Sequence, residues 1–65
     1  MVKPRAKEAE HSRTALINAA RRRFAKKGQA GVEVLAVARD AKLTTGALYH
    51  HFGSRQGLLH ACGML

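Results

Sequence analysis

The sequence predicts a small all-α bundle, three helices with the start of a fourth, and three observations lead there. The chain has 65 residues, enough for one small domain. Apolar residues recur at helical spacing in successive segments. Glycines and capping residues punctuate those segments where helices should stop and start. A domain of this size buries only about 60% of the surface its unfolded chain exposes, so its stability is expected to be thin. It has no room for a second domain, an enclosed cofactor pocket or a typical enzyme cleft. Hydrophobic residues make up 46% of the chain and charged residues 25%, which suits a folded domain rather than a disordered one. With 5% aromatics, the core must be built mainly from Leu, Ile, Val and Ala.

Residues 1–8 carry Lys3, Arg5 and Lys7 around Pro4 and read as a basic arm; residues 9–65 read as the helical domain. The first helix is expected over 9–27. Leu16, Ile17, Ala20 and Phe24 share one face, and Arg13, Arg21, Arg22 and Lys26 occupy the other. Gly28 after Lys26 and Lys27 is a stop signal. A loop over 29–32 contains Gly31. The second helix, expected over 33–41, is marked by Val34, Val37, Ala38 and Ala41. Valine is a mediocre helix former, so tertiary packing must hold this segment. Thr44 is placed to cap a third helix over 44–51, with Ala47, Leu48 and Phe52 on its apolar side. Gly53 breaks that helix, and Ser54 caps a fourth with Leu58, Leu59 and Cys62 facing inward. The fourth helix is expected to reach Leu65 without a stop signal, as though the chain were cut short.

Charge narrows the function. Twelve Lys and Arg stand against four Asp and Glu, a formal net charge of +8, which favours polyanionic partners. Cys62 is the single cysteine and cannot form an internal disulfide, which suits a reducing cytoplasm. The N-terminus is polar and basic with no apolar stretch behind it, so no signal peptide is expected. The apolar runs are far shorter than the ~20 residues that cross a bilayer. A soluble, cytoplasmic protein is the expectation. Paired carboxylates, a nucleophile with its base and a phosphate-binding loop are all lacking, so neither catalysis nor a cofactor is expected. His50 and His51 invite a metal reading with His60 and Cys62, but adjacent helical residues point about 100° apart. No spacing matches a structural zinc site, and no metal is expected.

Two short helices joined by a tight turn, over about 33–52, are the requirement of a helix-turn-helix. The major groove, about 12 Å wide, admits one helix while the preceding helix braces it. Ala38 permits close approach of the two helices, Leu43 closes the turn over the core, and Leu48 anchors the third helix from behind. Thr45, Gly46, Tyr49 and His50 are left pointing outward, where side-chain hydrogen bonds and a bare backbone can meet DNA.

The run VARDAKLTTGALYHHFGSR over 37–55 resembles the TetR-family signature, in which an Ile-Ala pair leads to a turn, then Gly-x-Leu-Tyr-x-His-Phe, then a basic residue three positions on. Upstream, LINAARRRFAKKG resembles the family's first helix. The likeness covers about 13–59, and Gly46, Leu48, Tyr49, His51 and Phe52 together make it specific. The resemblance implies a homeodomain-like bundle that binds a double-stranded DNA operator as the headpiece of a transcriptional regulator, a repressor. It also implies a separate C-terminal domain, absent from this chain, that dimerises and takes a small-molecule inducer. The full-length parent is then a homodimer and this chain a monomer, with no membrane partner. Carried over position by position, Thr45, Gly46 and Tyr49 match residues that approach base edges. Thr44, Tyr49, His50 and His51 match backbone-contacting residues, and Arg55 matches one that grips a phosphate. Lys3, Arg5 and Lys7 are candidates to follow a neighbouring groove.

Three positions depart from the family pattern. Lys42 stands where a turn glycine is usual, which costs on the order of 1–2 kcal/mol if that residue is left-handed. Glu33 replaces a capping Thr near the second helix and should repel DNA there, although a carboxylate suits a helix N-terminus. Arg23 replaces a common Leu. Two other functions compete. A basic amphipathic membrane-surface helix lacks the interfacial Trp it would need, with only Phe24 in the first helix. A non-specific or single-strand nucleic-acid module lacks a stacking platform of aromatics.

Overall fold

The computed structural model describes residues 4–64, with side chains from Glu10 to Met64. Four α-helices follow one another, α1 over Pro4–Lys27, α2 over Val34–Asp40, α3 over Thr45–Phe52 and α4 over Arg55–Ala61, with a single 3-10 turn over Gly28–Gly31 between α1 and α2. No strand occurs among the described residues. α1 packs against each of the other three helices, and α3 packs against α2 and α4, so the core lies beneath the middle of α1.

α1 starts at Pro4, not at Ala9, and absorbs most of the segment expected to be an arm. Proline is at home in the first helical position because the N–H it lacks would have no partner there. Arg5, Ala6, Lys7 and Glu8 behind it are good helix formers. Lys3 lies outside the described residues, and Arg5 and Lys7 belong to the helix. α1 ends as expected: Lys26 and Lys27 fill its last turn, and Gly28 reverses the chain with φ of 67°.

Leu16, Ala19, Ala20, Val32, Val37, Ala38, Leu48, Leu58, Leu59 and Cys62 form the buried core, with Ile17, Val34, Ala41, Leu43, Phe52 and Met64 packed around it. Phe24 departs from expectation. It shares a helical flank with Ile17, yet it lies at the rim and stays 37% exposed. Val32 departs in the other direction. Expected in a loop, it is fully buried, because the 3-10 turn directs it under α1.

The turn joining α2 to α3 is a Schellman reversal. Leu43 N–H donates to Ala38 O at 2.8 Å and Lys42 N–H to Arg39 O at 3.0 Å, which satisfies two carbonyls at the end of α2. The geometry puts Lys42 in the left-handed region with φ of 61°, the one non-glycine residue there among the described residues. The same device ends α4. Met64 N–H donates to Leu59 O at 2.9 Å, Gly63 N–H to His60 O at 3.1 Å, and Gly63 has φ of 73°. So α4 does not run on to Leu65: it stops at Ala61, and Gly63 is the stop signal that the sequence reading passed over.

Replacing Lys42 by Gly should stabilise the domain. Relief of left-handed strain, about 1–2 kcal/mol, outweighs the greater entropy that glycine gives the unfolded chain, about 0.4–1 kcal/mol. The expected gain is about 0.5–1 kcal/mol in the free energy of urea unfolding, whereas Lys42→Ala should give no comparable gain.

Candidate nucleic-acid interface

α3 presents opposite faces to the core and to solvent. Thr44 caps it: its Oγ1 accepts from Ala47 N–H at 3.1 Å, and its backbone is extended as a cap requires. That leaves the Thr44 hydroxyl proton free, on an exposed residue. Leu48 turns inward and is fully buried, whereas Tyr49 beside it is 48% exposed. Gly46 and His50 are exposed, while Thr45 and His51 are half-buried. Thr44, Thr45, Gly46, Tyr49, His50 and His51 thus belong to one helix and its cap, as the sequence predicts.

Gly46 has no internal reason to be glycine. Its φ is not positive, and a Cβ there would meet only the Thr44 hydroxyl oxygen, at an ordinary 3.7 Å. Gly57 is different: a Cβ there would run into the Phe52 carbonyl, so the first turn of α4 packs directly on the end of α3. Ser54 completes this junction, its Oγ accepting from Gly57 N–H at 3.0 Å. The sequence reading did not pick out Gly57.

Arg55 occupies an unexpected place. Its Nε donates to Val32 O and its Nη2 to Gln29 O, both at 2.7 Å, tying α4 to the 3-10 turn. Gln29 closes the same junction by donating from Nε2 to Met64 O at 2.7 Å. Two of the five guanidinium donors are therefore spent inside the domain, and the rest sit on an exposed side chain. No local pattern announces this clamp, since its partners lie 23 and 26 residues away.

Two further contacts brace the helices. Arg13 lies over the Phe52 ring at 5.4 Å, joining α1 to α3. Arg23 pairs its Nε with Asp40 Oδ2 at 2.7 Å and joins α1 to α2. The Arg23 hydrogen bond holds the Asp40 carboxyl below the ordinary carboxylate range. Its contribution is therefore present above the ordinary carboxylate pKa and lost as pH falls through the lowered value. Glu33 stands at the N-cap of α2 with no side-chain capping bond, exposed to solvent. Cys62 is buried, and burial pushes its thiol up, against the opposing pull of Arg21 and Arg13. Among the described residues no three His, Cys, Asp or Glu side chains gather in a metal-binding group. Nor is any described helix long and apolar enough to cross a membrane.

A short α2, the tight turn 41–44 and an α3 whose outer face is free together make a helix-turn-helix domain. Comparison with known proteins takes the assignment one step further. The family of bacterial regulatory proteins named for tetR matches residues 16–62, and the chain belongs to that family. Its relatives include the HTH-type transcriptional regulator UidR of Escherichia coli K12, 37% identical over 54 residues, which cover 83% of this chain and 28% of that protein. The HTH-type transcriptional regulator TtgR of Pseudomonas putida is 38% identical over 61 residues, 94% of this chain and 29% of that protein. The Transposon Tn10 TetC protein of Escherichia coli is 43% identical over 47 residues, 72% of this chain and 24% of that protein. The chain thus spans less than a third of these relatives. No solved structure matches it.

Removing the clamp should be felt in folding. Arg55→Ala leaves two carbonyls without their charged donor and should lower stability by about 1–2 kcal/mol, read as a lower urea midpoint. An unchanged midpoint would mean the two bonds contribute nothing. The thiol offers a second measurement. Native Cys62 should react with a thiol reagent at neutral pH at least tenfold more slowly than in the urea-unfolded chain, because it is buried.

Proposed function

We propose that this chain binds double-stranded DNA sequence-specifically, as the helix-turn-helix of a transcriptional repressor, with α3 seated in the major groove. One observation carries the reading: α3 is anchored from behind by a fully buried Leu48 while Tyr49 stands 48% exposed on its other side. A helix held that way offers its outer face to base edges without disturbing the core. Membership of a family of bacterial regulatory proteins supports the same reading.

The roles follow from position. Thr45, Gly46 and Tyr49 meet base edges: the hydroxyls supply donors and acceptors, and Gly46 lets the backbone come close. The free hydroxyl proton of Thr44 and the rings of His50 and His51, in the last turn of α3, meet phosphate oxygens. Arg55 chiefly positions α4 against the 3-10 turn and contacts phosphate with the donors it has left. Glu33, exposed at the start of α2, weakens contact with the backbone on that side. The parent protein is a homodimer on paired half-sites of an operator, and its inducer binds to a domain outside this chain, which by itself is a monomer.

Gly46 gives a test in which two readouts move in opposite directions. In a helix, glycine costs up to about 1 kcal/mol against alanine, and nothing inside the domain requires it here. Gly46→Ala should therefore raise thermal stability and lower DNA affinity by at least tenfold; affinity unchanged would remove the close-approach role.

Tyr49→Ala tests base readout. Against duplexes selected from a random pool, it should weaken binding to the selected site by 1–3 kcal/mol and leave random-sequence binding within about twofold. Equal losses on both would show that the protein reads no bases through this residue. Binding of both kinds should weaken steeply as salt rises.

A further inference from the structure

Lys42 carries a side chain where the backbone disfavours one. Its φ of 61° lies in the left-handed region, where a Cβ crowds the backbone and where residues other than Gly, Asn, Asp and His are uncommon. Nothing inside the domain offsets that strain. Among the described residues, side-chain hydrogen bonds engage Arg23, Gln29, Thr44, Ser54 and Arg55, and none reaches the Lys42 ammonium. Asp40, the acid nearest to it in sequence, is held by Arg23 at 2.7 Å. Lys42 is exposed, and toward α1 it borders an open hollow of about 270 Å³.

Two ordinary reasons for a cation at this place fall short. Positive charge near the last carbonyls of a helix is favourable, but Arg39 already fills the last turn of α2. That gain is also smaller than the cost of a left-handed Cβ. Solubility does not call for a lysine at this position in a chain of formal net charge +8. Strained residues cluster where the constraint serves a function.

In a helix-turn-helix the first helix crosses the sugar-phosphate backbone and the second lies in the major groove. The turn between them therefore passes beside a strand. Two residues of chain span at most about 7 Å, so Lys42 stays that close to Thr44, whose free hydroxyl proton meets a phosphate in the function proposed above. A lysine ammonium is a compact charge with three donors on a flexible four-carbon stem. It suits a phosphate and is indifferent to base sequence. We propose that Lys42 is a further DNA-contacting residue, its ammonium meeting a backbone phosphate of the duplex that α3 reads, next to the one met by Thr44. This contact rests on the function proposed above and deepens it. One residue thus lowers the stability of the domain and raises its affinity.

Titration of a selected-site duplex and a random-sequence duplex with the 65-residue chain, at several salt concentrations, tests the contact. Lys42→Gly, which should fold more stably than wild type, should bind both duplexes about tenfold more weakly at about 50 mM salt and lose about one unit of the salt slope. Its deficit should then shrink about 3.5-fold between about 50 and 200 mM salt. Lys42→Gln keeps the left-handed Cβ without the charge and should show the same deficit, while Lys42→Arg should stay within about twofold of wild type. Unchanged affinity or slope in Lys42→Gln overturns the proposal. So does a loss in Lys42→Gly that Lys42→Gln does not share, which would trace to backbone geometry. A loss confined to the selected site overturns it too, because a phosphate contact carries no sequence information. Lys27→Gln removes the same charge from the exposed last turn of α1; an equal drop in its slope would make the effect one of net charge and refute the contact. Tyr49→Ala keeps the two readings apart: equal losses there on both duplexes would remove base readout, while a Lys42→Gln deficit on both would still support the phosphate contact. A wild-type chain that binds no duplex overturns both.

Discussion

The left-handed residue at Lys42 sets the relation between α2 and α3, and most of what the outer surface offers depends on that relation. Two reversed hydrogen bonds, from Lys42 and Leu43 back to Arg39 and Ala38, end α2 and turn the chain within a few residues. Leu43 then drops onto the core, and Thr44 emerges extended, ready to cap α3. The small side chain of Ala38 lets the helices close up on this turn. A residue with a Cβ is strained in such a position, so the packing of Leu43 and Leu48 beneath the turn has to hold it there.

The second constraint is more distant in sequence. α4 is short, and its contact with α3 depends on Gly57 lying against the Phe52 carbonyl. It is tied at both ends to the 3-10 turn, through Arg55 at its start and through Gln29 to Met64 O beyond its end. Val32, fully buried at the end of that turn, shares its carbonyl with the Arg55 clamp. The segment between α1 and α2 is therefore held from below by α4 and from above by α1.

What could be read from the sequence follows from the range of the physics involved. Helical periodicity distinguishes Leu48 from Tyr49 because adjacent positions on a helix face differently, and the structure agrees. The caps at Thr44 and Ser54 are local, and both make the expected bond. Two local signals were present but passed over: Pro4 as a first helical residue and Gly63 as a stop. Other features carried no local signal. A 3-10 turn between glycines is too short to show a period, so the burial of Val32 was hidden. Periodicity places Phe24 on an apolar flank without saying whether anything covers it. The Arg55 clamp and the Arg23–Asp40 pair join residues brought together only by the completed fold.

The make-up of the core has a consequence for how such a domain persists in a cell. Among the described side chains, four leucines, three alanines, two valines and a cysteine are buried, with no aromatic ring among them. So spare an interior leaves little reserve against unfolding. Any ligand that binds only the folded form, present at a hundred times its Kd, adds about 2.7 kcal/mol. For a chain with so small a margin, occupancy then governs lifetime: copies engaged with their ligand resist proteases, while idle copies open more often and are cleared.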